Sequence, residues 1–203
     1  PGGSDSATID NVFELLILSG RSLAHAISML IPAAWEQNRL LAQNVRAFHQ
    51  YHTCLIEPWD GPAAIAFTDG QSIGAVLDRN GLRPCRYIVT KKDFVVMASE
   101  VGVLDIPPSD ILYSGRLEPG KTFFIDTQAG RIIEDSQIKT ELSQAKPYEK
   151  WVKKNIVELD KLPARPVKKN KFNSFSMLKA FGYTREDLKT IIKPMAENGQ
   201  EPV

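Results

Sequence analysis

The sequence predicts an α+β fold in which helices are layered against antiparallel sheet. Three observations carry this. The first third shows helical periodicity, the stretch from Pro62 to Ile133 is a series of short apolar runs punctuated by turn residues, and a helical pattern returns after Ile138. At 203 residues the chain can bury a real core and hold one domain plus an appendage. Its 43% hydrophobic and 24% charged content is that of a globular protein. The net charge of +1 gives no reason to expect a nucleic-acid or membrane partner. No apolar run approaches the roughly 18 residues that a membrane-spanning helix needs.

Within residues 11–31, Val12, Leu15, Leu16, Ser19, Leu23, Ala26, Ile27 and Leu30 recur at helical spacing. Gly20 is a break between two helices, and Asp10 or Thr8 is a candidate cap for the first. Pro32 is expected to open a third helical piece over Ala33 to Asn38. Val45 to Leu55 fits helix or extended chain equally well. Ala63 to Phe67 and Ser72 to Leu77 read as a hairpin around a type I′ turn at Asp69-Gly70. Arg86 to Thr90 and Phe94 to Ala98 read as a second hairpin around Lys91-Lys92-Asp93. Thr122 to Asp126 and Arg131 to Ile133 supply further strands, and the near-continuous apolar runs suggest strands covered on both faces. Helix returns through Tyr148 to Leu159. Pro163 and Pro166 mark a linker, and Phe172 to Met195 is a short helical module with Gly182 between two helices and a Thr184–Asp187 capping pair.

Charge is unevenly spread. Lys146 to Phe172 holds nine Lys/Arg against three acids, a net of +6, and reads as a solvated linker. Cys54 and Cys85 have no metal-ligand spacing and fit small, buried thiols in a reducing compartment. His49 and His52 would share a helix face, but no third ligand with suitable spacing follows, so they read with His25 as surface or satisfied core histidines. The carboxylates of Glu57-Pro58-Trp59-Asp60 more readily cap or pair locally than act as an acid/base couple. Ser99-Glu100-Val101-Gly102 reads as a strand-end turn facing a cleft.

Two motifs stand out. Gly2-Gly3-Ser4-Asp5-Ser6 lies directly before the first helix, where glycine lets backbone approach a ligand and a carboxylate stays ionised. Such a carboxylate suits recognition of an ammonium group, although Asp5 or Ser6 could simply cap the helix. Asp78-Arg79-Asn80-Gly81-Leu82-Arg83-Pro84 stands between two strand-like runs and, taken alone, reads as a polar hairpin tip at Asn80-Gly81.

Taken in order, these pieces resemble the glutaminase domain of glutamate synthases. The likeness runs through Gly3-Ser4-Asp5-Ser6, Ile31-Pro32-Ala33-Ala34-Trp35, Glu57-Pro58-Trp59-Asp60-Gly61-Pro62-Ala63 and Asp78 to Pro84. It continues through Ala98 to Gly102, Gly115 to Gly120, Gly130 to Ile133, Ala180 to Thr184 and Pro194 to Glu197. The resemblance implies part of an N-terminal-nucleophile αββα sandwich of class II amidotransferase type, followed by a linker and a short helical segment. The expected division is 1–148 for the C-terminal half of the amidotransferase domain, 149–174 for a basic linker and 175–203 for the start of a central domain.

That family hydrolyses L-glutamine with a first-residue cysteine whose α-amine is the base, and passes ammonia on for addition to 2-oxoglutarate. By the same resemblance Asp5 binds the glutamine α-ammonium with support from Gly3. Asp78, Arg79, Asn80, Gly81 and Arg83 form a structural corner near the pocket, and Asn80-Gly81 is not the oxyanion pair. Residue 1 is proline, so nucleophile and oxyanion residues are expected upstream, and the isolated fragment is expected to be inactive and prone to aggregate. The resemblance also implies FMN and an iron–sulfur cluster elsewhere in the enzyme, the remaining domains of the chain as partners, and ferredoxin or an NAD(P)H-linked small subunit as electron donor. It implies a cytoplasmic or plastid-stroma location. The alternatives are a non-catalytic amidotransferase-like binding or structural module and a class II amidotransferase making asparagine or phosphoribosylamine.

Overall fold

A computed structural model describes residues 2–164, 174–199 and 201. The chain divides into two compact units after Ile156. In the first unit, helix α1 spans Asp5–Leu18 and α2 spans Leu23–Leu30. The break is at Gly20 as expected, with φ of 90°. The cap of α1 is Ser4 rather than Thr8 or Asp10: its Oγ accepts the Ala7 N–H at 3.2 Å. Ser22 caps α2 in the same way, accepting from the His25 N–H. The undecided segment is helix α3, Gln43–Thr53. The helix expected over 33–38 does not form. The segment is instead a loop whose Glu36 and Asn38 carbonyls accept from the guanidinium of Arg46.

Strands β1 (Ala64–Thr68), β2 (Ser72–Leu77), β6 (Thr122–Asp126) and β7 (Arg131–Ile133) form one antiparallel sheet in the order β1-β2-β6-β7. Strands β3 (Arg86–Thr90), β4 (Val95–Ala98) and β5 (Ile111–Arg116) form a second in the order β4-β3-β5. The β1–β2 turn is not type I′, because Asp69 does not take positive φ. It is a three-residue link in which the Asp69 carboxylate accepts the N–H groups of Gln71 and Ser72 at 2.9 and 2.8 Å. Strand β5 lacks a sequence signal because it is a half-exposed edge strand carrying Ser114 and Gly115.

The first sheet is the middle layer. On one face Phe67, Val76 and Phe124 pack with Ile9, Leu16, Leu23, Ile27 and Leu30 of the helices. On the other, Ala75, Leu77 and Phe123 pack with Cys85, Tyr87, Val95 and Met97 of the second sheet side. This explains why these strands read as continuous apolar runs. In each sheet an aromatic ring lies across a cross-strand glycine. A Cβ on Gly74 would sit 2.3 Å from the Phe67 ring, and one on Gly115 would sit 2.6 Å from Tyr87. Helices α4 (Asp135–Gln144) and α5 (Tyr148–Asn155) follow β7. Ile138 of α4 joins the helix-side core, and Tyr148 of α5 packs on Phe48 of α3.

The second unit begins at Val157 and contains α6 (Ser174–Ala180), α7 (Arg185–Asp187), a π-helical turn at Leu188–Ile192 and α8 (Lys193–Asn198). Gly182 takes φ of 76° between α6 and α7, and Thr184 and Asp187 form the expected reciprocal capping box. Pro166 and most of the basic linker's second half lie outside the described residues.

The Phe67–Gly74 pairing yields a test. Gly74→Ala is expected to destabilise the first unit by about 1–3 kcal/mol through overpacking. Adding Phe67→Leu, which removes the opposing ring, is expected to recover part of that loss in urea unfolding of the protein.

Candidate active site

Asp78 to Pro84 is not a hairpin tip. Strand β2 pairs with β1 and β6, and β3 pairs with β4 and β5, so the heptapeptide carries the chain from the first sheet to the second. Two strands joined by a tight turn would have paired, but here the intervening residues serve Asp78. Its side chain is 4% exposed, yet both carboxylate oxygens are used. Oδ1 accepts the Ala63 N–H at 3.1 Å, and Oδ2 accepts the N–H groups of Asn80 and Gly81 at 2.9 and 3.1 Å. Its backbone N–H donates to the Ala63 carbonyl, and its own carbonyl accepts from Gly81 and Gly120. Burial alone pushes the carboxyl pKa up. The three backbone donors outweigh it and hold the group below its ordinary value, so Asp78 stays ionised.

Gly81 closes this turn at φ of 61°, and a Cβ there would lie 2.5 Å from the Pro119 ring. Gly120, next in sequence, approaches Ala33, whose Cα would be 3.2 Å from an added Cβ. The corner, the Pro119-Gly120 turn and the 33–38 loop therefore pack as one block. Arg79 reaches out from it to Asp60 at 2.9 Å, and Arg83 Nε donates to the Pro62 carbonyl at 3.3 Å. Asp60 also caps its own turn as expected, its Oδ1 accepting the Gly61 N–H at 3.0 Å.

These segments wall an open cleft of about 750 Å³, lined by the Ile31–Asn38 loop, Thr53, Glu57 to Asp60, Asp78 and Arg79. Trp59 is fixed in it by donating its backbone N–H to the Leu30 carbonyl at 2.7 Å. Two half-buried indoles, Trp35 and Trp59, with the carboxylates of Glu57 and Asp60, give the cleft a mixed aromatic and acidic lining. The loop that forms one wall was legible as a motif but not as a wall, because a helix was expected there.

Asp5 lies in the first turn of α1 and does not line that cleft. Ser4 performs the capping, so the Asp5 carboxylate is exposed and has no hydrogen-bond or ion-pair partner among the described residues. Gly3 precedes the cap in open backbone, with a Cβ there meeting only Ala7 at 4.0 Å. Ser99 and Glu100 are exposed after β4, and Glu100 to Leu104 fold against Ile88 and Val96 on the outer face of the second sheet.

The thiols depart from expectation. Cys54 is exposed at the end of α3, and Cys85 is half-buried, its pKa raised by burial. No group of three or more His, Cys, Asp or Glu suited to a metal occurs among the described residues. Two separate cysteines do not fit the three or four thiolates of an iron–sulfur cluster. No helix among the described residues is long and apolar enough to cross a membrane.

The fold and these motifs define a class of protein. Residues 1–151 match the class-II glutamine amidotransferases, and the chain belongs to that family. Its relatives are more specific. It is 46% identical over 99% of its length to the NADPH glutamate synthase large chain of Bacillus subtilis, and covers 13% of that protein. It is 42% identical over 98% of its length to the NADH glutamate synthase of Saccharomyces cerevisiae, covering 10% of it. It is 39% identical over its whole length to the chloroplastic ferredoxin-dependent glutamate synthase of Oryza sativa, covering 13% of it. The chain therefore spans about an eighth of these relatives or less.

If the Asp78 carboxylate holds the inter-sheet crossing, Asp78→Asn is expected to cost about 1–3 kcal/mol, since an amide nitrogen would face a backbone donor in a buried site. Because the folded pKa is depressed, the carboxylate's contribution is present above the ordinary carboxyl pKa and lost as pH falls through the lower folded value. Comparing acid unfolding of the variant with the parent checks both points: the variant's stability should change less between neutral pH and pH 3.

Proposed function

We propose that this chain is a portion of a glutamate synthase that helps to form the glutamine-hydrolysing site supplying ammonia for reductive amination of 2-oxoglutarate. The observation that carries this reading is continuity. The likeness to glutamate synthases extends over 98–100% of the chain, past the amidotransferase match at residue 151 and into the second unit. An amidotransferase of another pathway would share the first part alone. On this reading residues 1–148 are the C-terminal half of the amidotransferase domain, 149–174 a basic linker and 175–203 the start of the central domain.

The reaction converts glutamine and water to glutamate and ammonia. A thiol adds to the amide carbon, ammonia leaves carrying the transferred proton, and water cleaves the thioester. Neither Cys54 nor Cys85 has a free α-amine, since both are internal. The nucleophile and its base are therefore assigned to another part of the enzyme. Asp5 is assigned to the substrate α-ammonium, supported by its exposed, unpartnered carboxylate and by Gly3 beside it. Asp78, Arg79, Asn80, Gly81 and Arg83 brace the sheets beside the pocket.

Strand β1 is an outer strand of its sheet, and an apolar groove of about 510 Å³ lies between it and α1, lined by Phe13, Ile17, Leu18 and Ile65 among others. This groove supports packing of the rest of the amidotransferase domain there. FMN and the iron–sulfur cluster belong to other domains. NADPH, NADH and ferredoxin-dependent glutamate synthases all resemble this segment.

The 203-residue chain alone is expected to release no ammonia from glutamine above the buffer rate, whereas the intact protein does so in a thiol-alkylation-sensitive manner. Ammonia release by the isolated chain would overturn the assignment of the nucleophile elsewhere. Absence of turnover in the intact protein would favour the non-catalytic module. In the active intact protein, Asp5→Asn is expected to raise the glutamine KM about 10–100-fold with a smaller effect on kcat, the cost of losing a charge-assisted contact.

A further inference from the structure

Helices α2 and α3 carry three histidines that the proposed chemistry does not use, and one of them, His52, also touches α5. His25 is on α2, and His49 and His52 are on α3. The ring of Phe48 lies 5.3 Å from Tyr148, and that of Tyr51 lies 5.2 Å from Trp151, so α5 is held on α3 largely by aromatic contacts around these imidazoles. The His52 ring is itself 5.2 Å from Tyr148.

Hydrogen bonding fixes the protons. His52 Nδ1 lies 2.7 Å from the Phe48 carbonyl, which can only accept, so Nδ1 carries the proton and donates. In a neutral ring its Nε2 is then a bare acceptor, and His25 Nε2, at 2.8 Å, must donate to it. A proton taken up by His52 alone is met by a change of tautomer at His25, but with both rings protonated two N–H groups face each other and the bond is lost. His49 is 3% exposed, and its Nε2 has no hydrogen-bond partner among the described residues.

Among the described residues, the charged groups that act on the cluster are cations, Arg21 from the α1–α2 turn and Lys139 from α4, while Tyr51 and Tyr148 present rings to it. The carboxylate of Asp135 is committed to Lys139 at 2.6 Å and to the Thr122 N–H at 3.0 Å.

We propose that the three imidazoles form an acid-opened clasp, holding α5, the last helix of the first unit, against α3 while neutral and releasing it when they take up protons. Burial, with the neighbouring His52 and Arg21 charges for His25 and Lys139 and His52 for His49, lowers both groups from 6.5 to about 4. His52 shifts the same way, chiefly by burial and against the pull of its Phe48 hydrogen bond. Because the docked form binds fewer protons, the clasp is at full strength above pH 6.5 and weakens as pH falls from there toward 4. Each histidine released adds up to about tenfold per pH unit to the opening equilibrium in that window.

Peptide-resolved hydrogen exchange of the intact protein, corrected for the chemical exchange rate, tests this between pH 7.5 and 4.5. The opening equilibrium of peptides over 148–155 is expected to rise by more than about 100-fold, and that of β6 peptides by much less. His49→Leu, an apolar side chain of similar size replacing the unpartnered ring, is expected to keep α5 protected at pH 7.5 and to remove about one proton from the slope. His25→Gln, which keeps an N–H donor for His52 without titrating, should remove another. Flat α5 protection across the range would overturn the proposal. So would a His49→Leu slope equal to the parent's, or loss of α5 and β6 protection in parallel; the His49→Leu comparison decides the matter even if His25→Gln does not fold.

Discussion

The buried carboxylate of Asp78 is the interaction on which the rest of the first unit depends. A charge taken out of water is tolerated only when its lone pairs are filled, and three backbone N–H groups fill them here. Those donors are not local to one element. Ala63 stands at the start of β1, Asp78 follows the end of β2, Asn80 and Gly81 open the crossing to β3, and Gly120, which donates to the Asp78 carbonyl, precedes β6. One residue thus ties three strands of the first sheet to the chain that builds the second.

From that junction the layering follows. A sheet sandwiched between helices and a second sheet must be apolar on both faces, and β2 and β6 are. Close approach of their neighbours is made possible by aromatic rings lying over glycines, Phe67 on Gly74 and Tyr87 on Gly115. The cleft with Trp35, Trp59, Glu57 and Asp60 forms where the 33–38 loop meets the Asp78 corner, so its walls are set by backbone packing rather than by an independent binding loop.

What could be read without coordinates was the chemistry confined to a few neighbouring residues. The Gly20 break, the Thr184–Asp187 capping box and the Arg86–Ala98 hairpin each depend on contacts within a short stretch, and each formed as read. Several of the failures share a cause, a partner far along the chain. Asp78 to Pro84 has the composition of a hairpin, but the partner that decides its role, Ala63, is fifteen residues away. The 33–38 segment has a helix-opening proline, but it is a loop packed in a block with the Asp78 corner and bound by Arg46 of a later helix. His49 and His52 share a face as their spacing required, yet that spacing said nothing of His25, which bonds His52 across 27 residues. Cys54 and Cys85 look like small core residues in composition, and one proved exposed.

The sequence by itself determined the class of fold and, through motifs kept in order from Gly3 to Glu197, the family. Patterning and local turn chemistry act over a few residues and need no partner. Tertiary structure alone decided that the heptapeptide at Asp78 bridges two sheets instead of closing one, and that Arg46 binds the carbonyls of the 33–38 loop. Those outcomes turn on which distant backbone donor or acceptor reaches a side chain first. A buried polar group must be satisfied by whatever the fold brings to it, and the linear order of residues does not specify that.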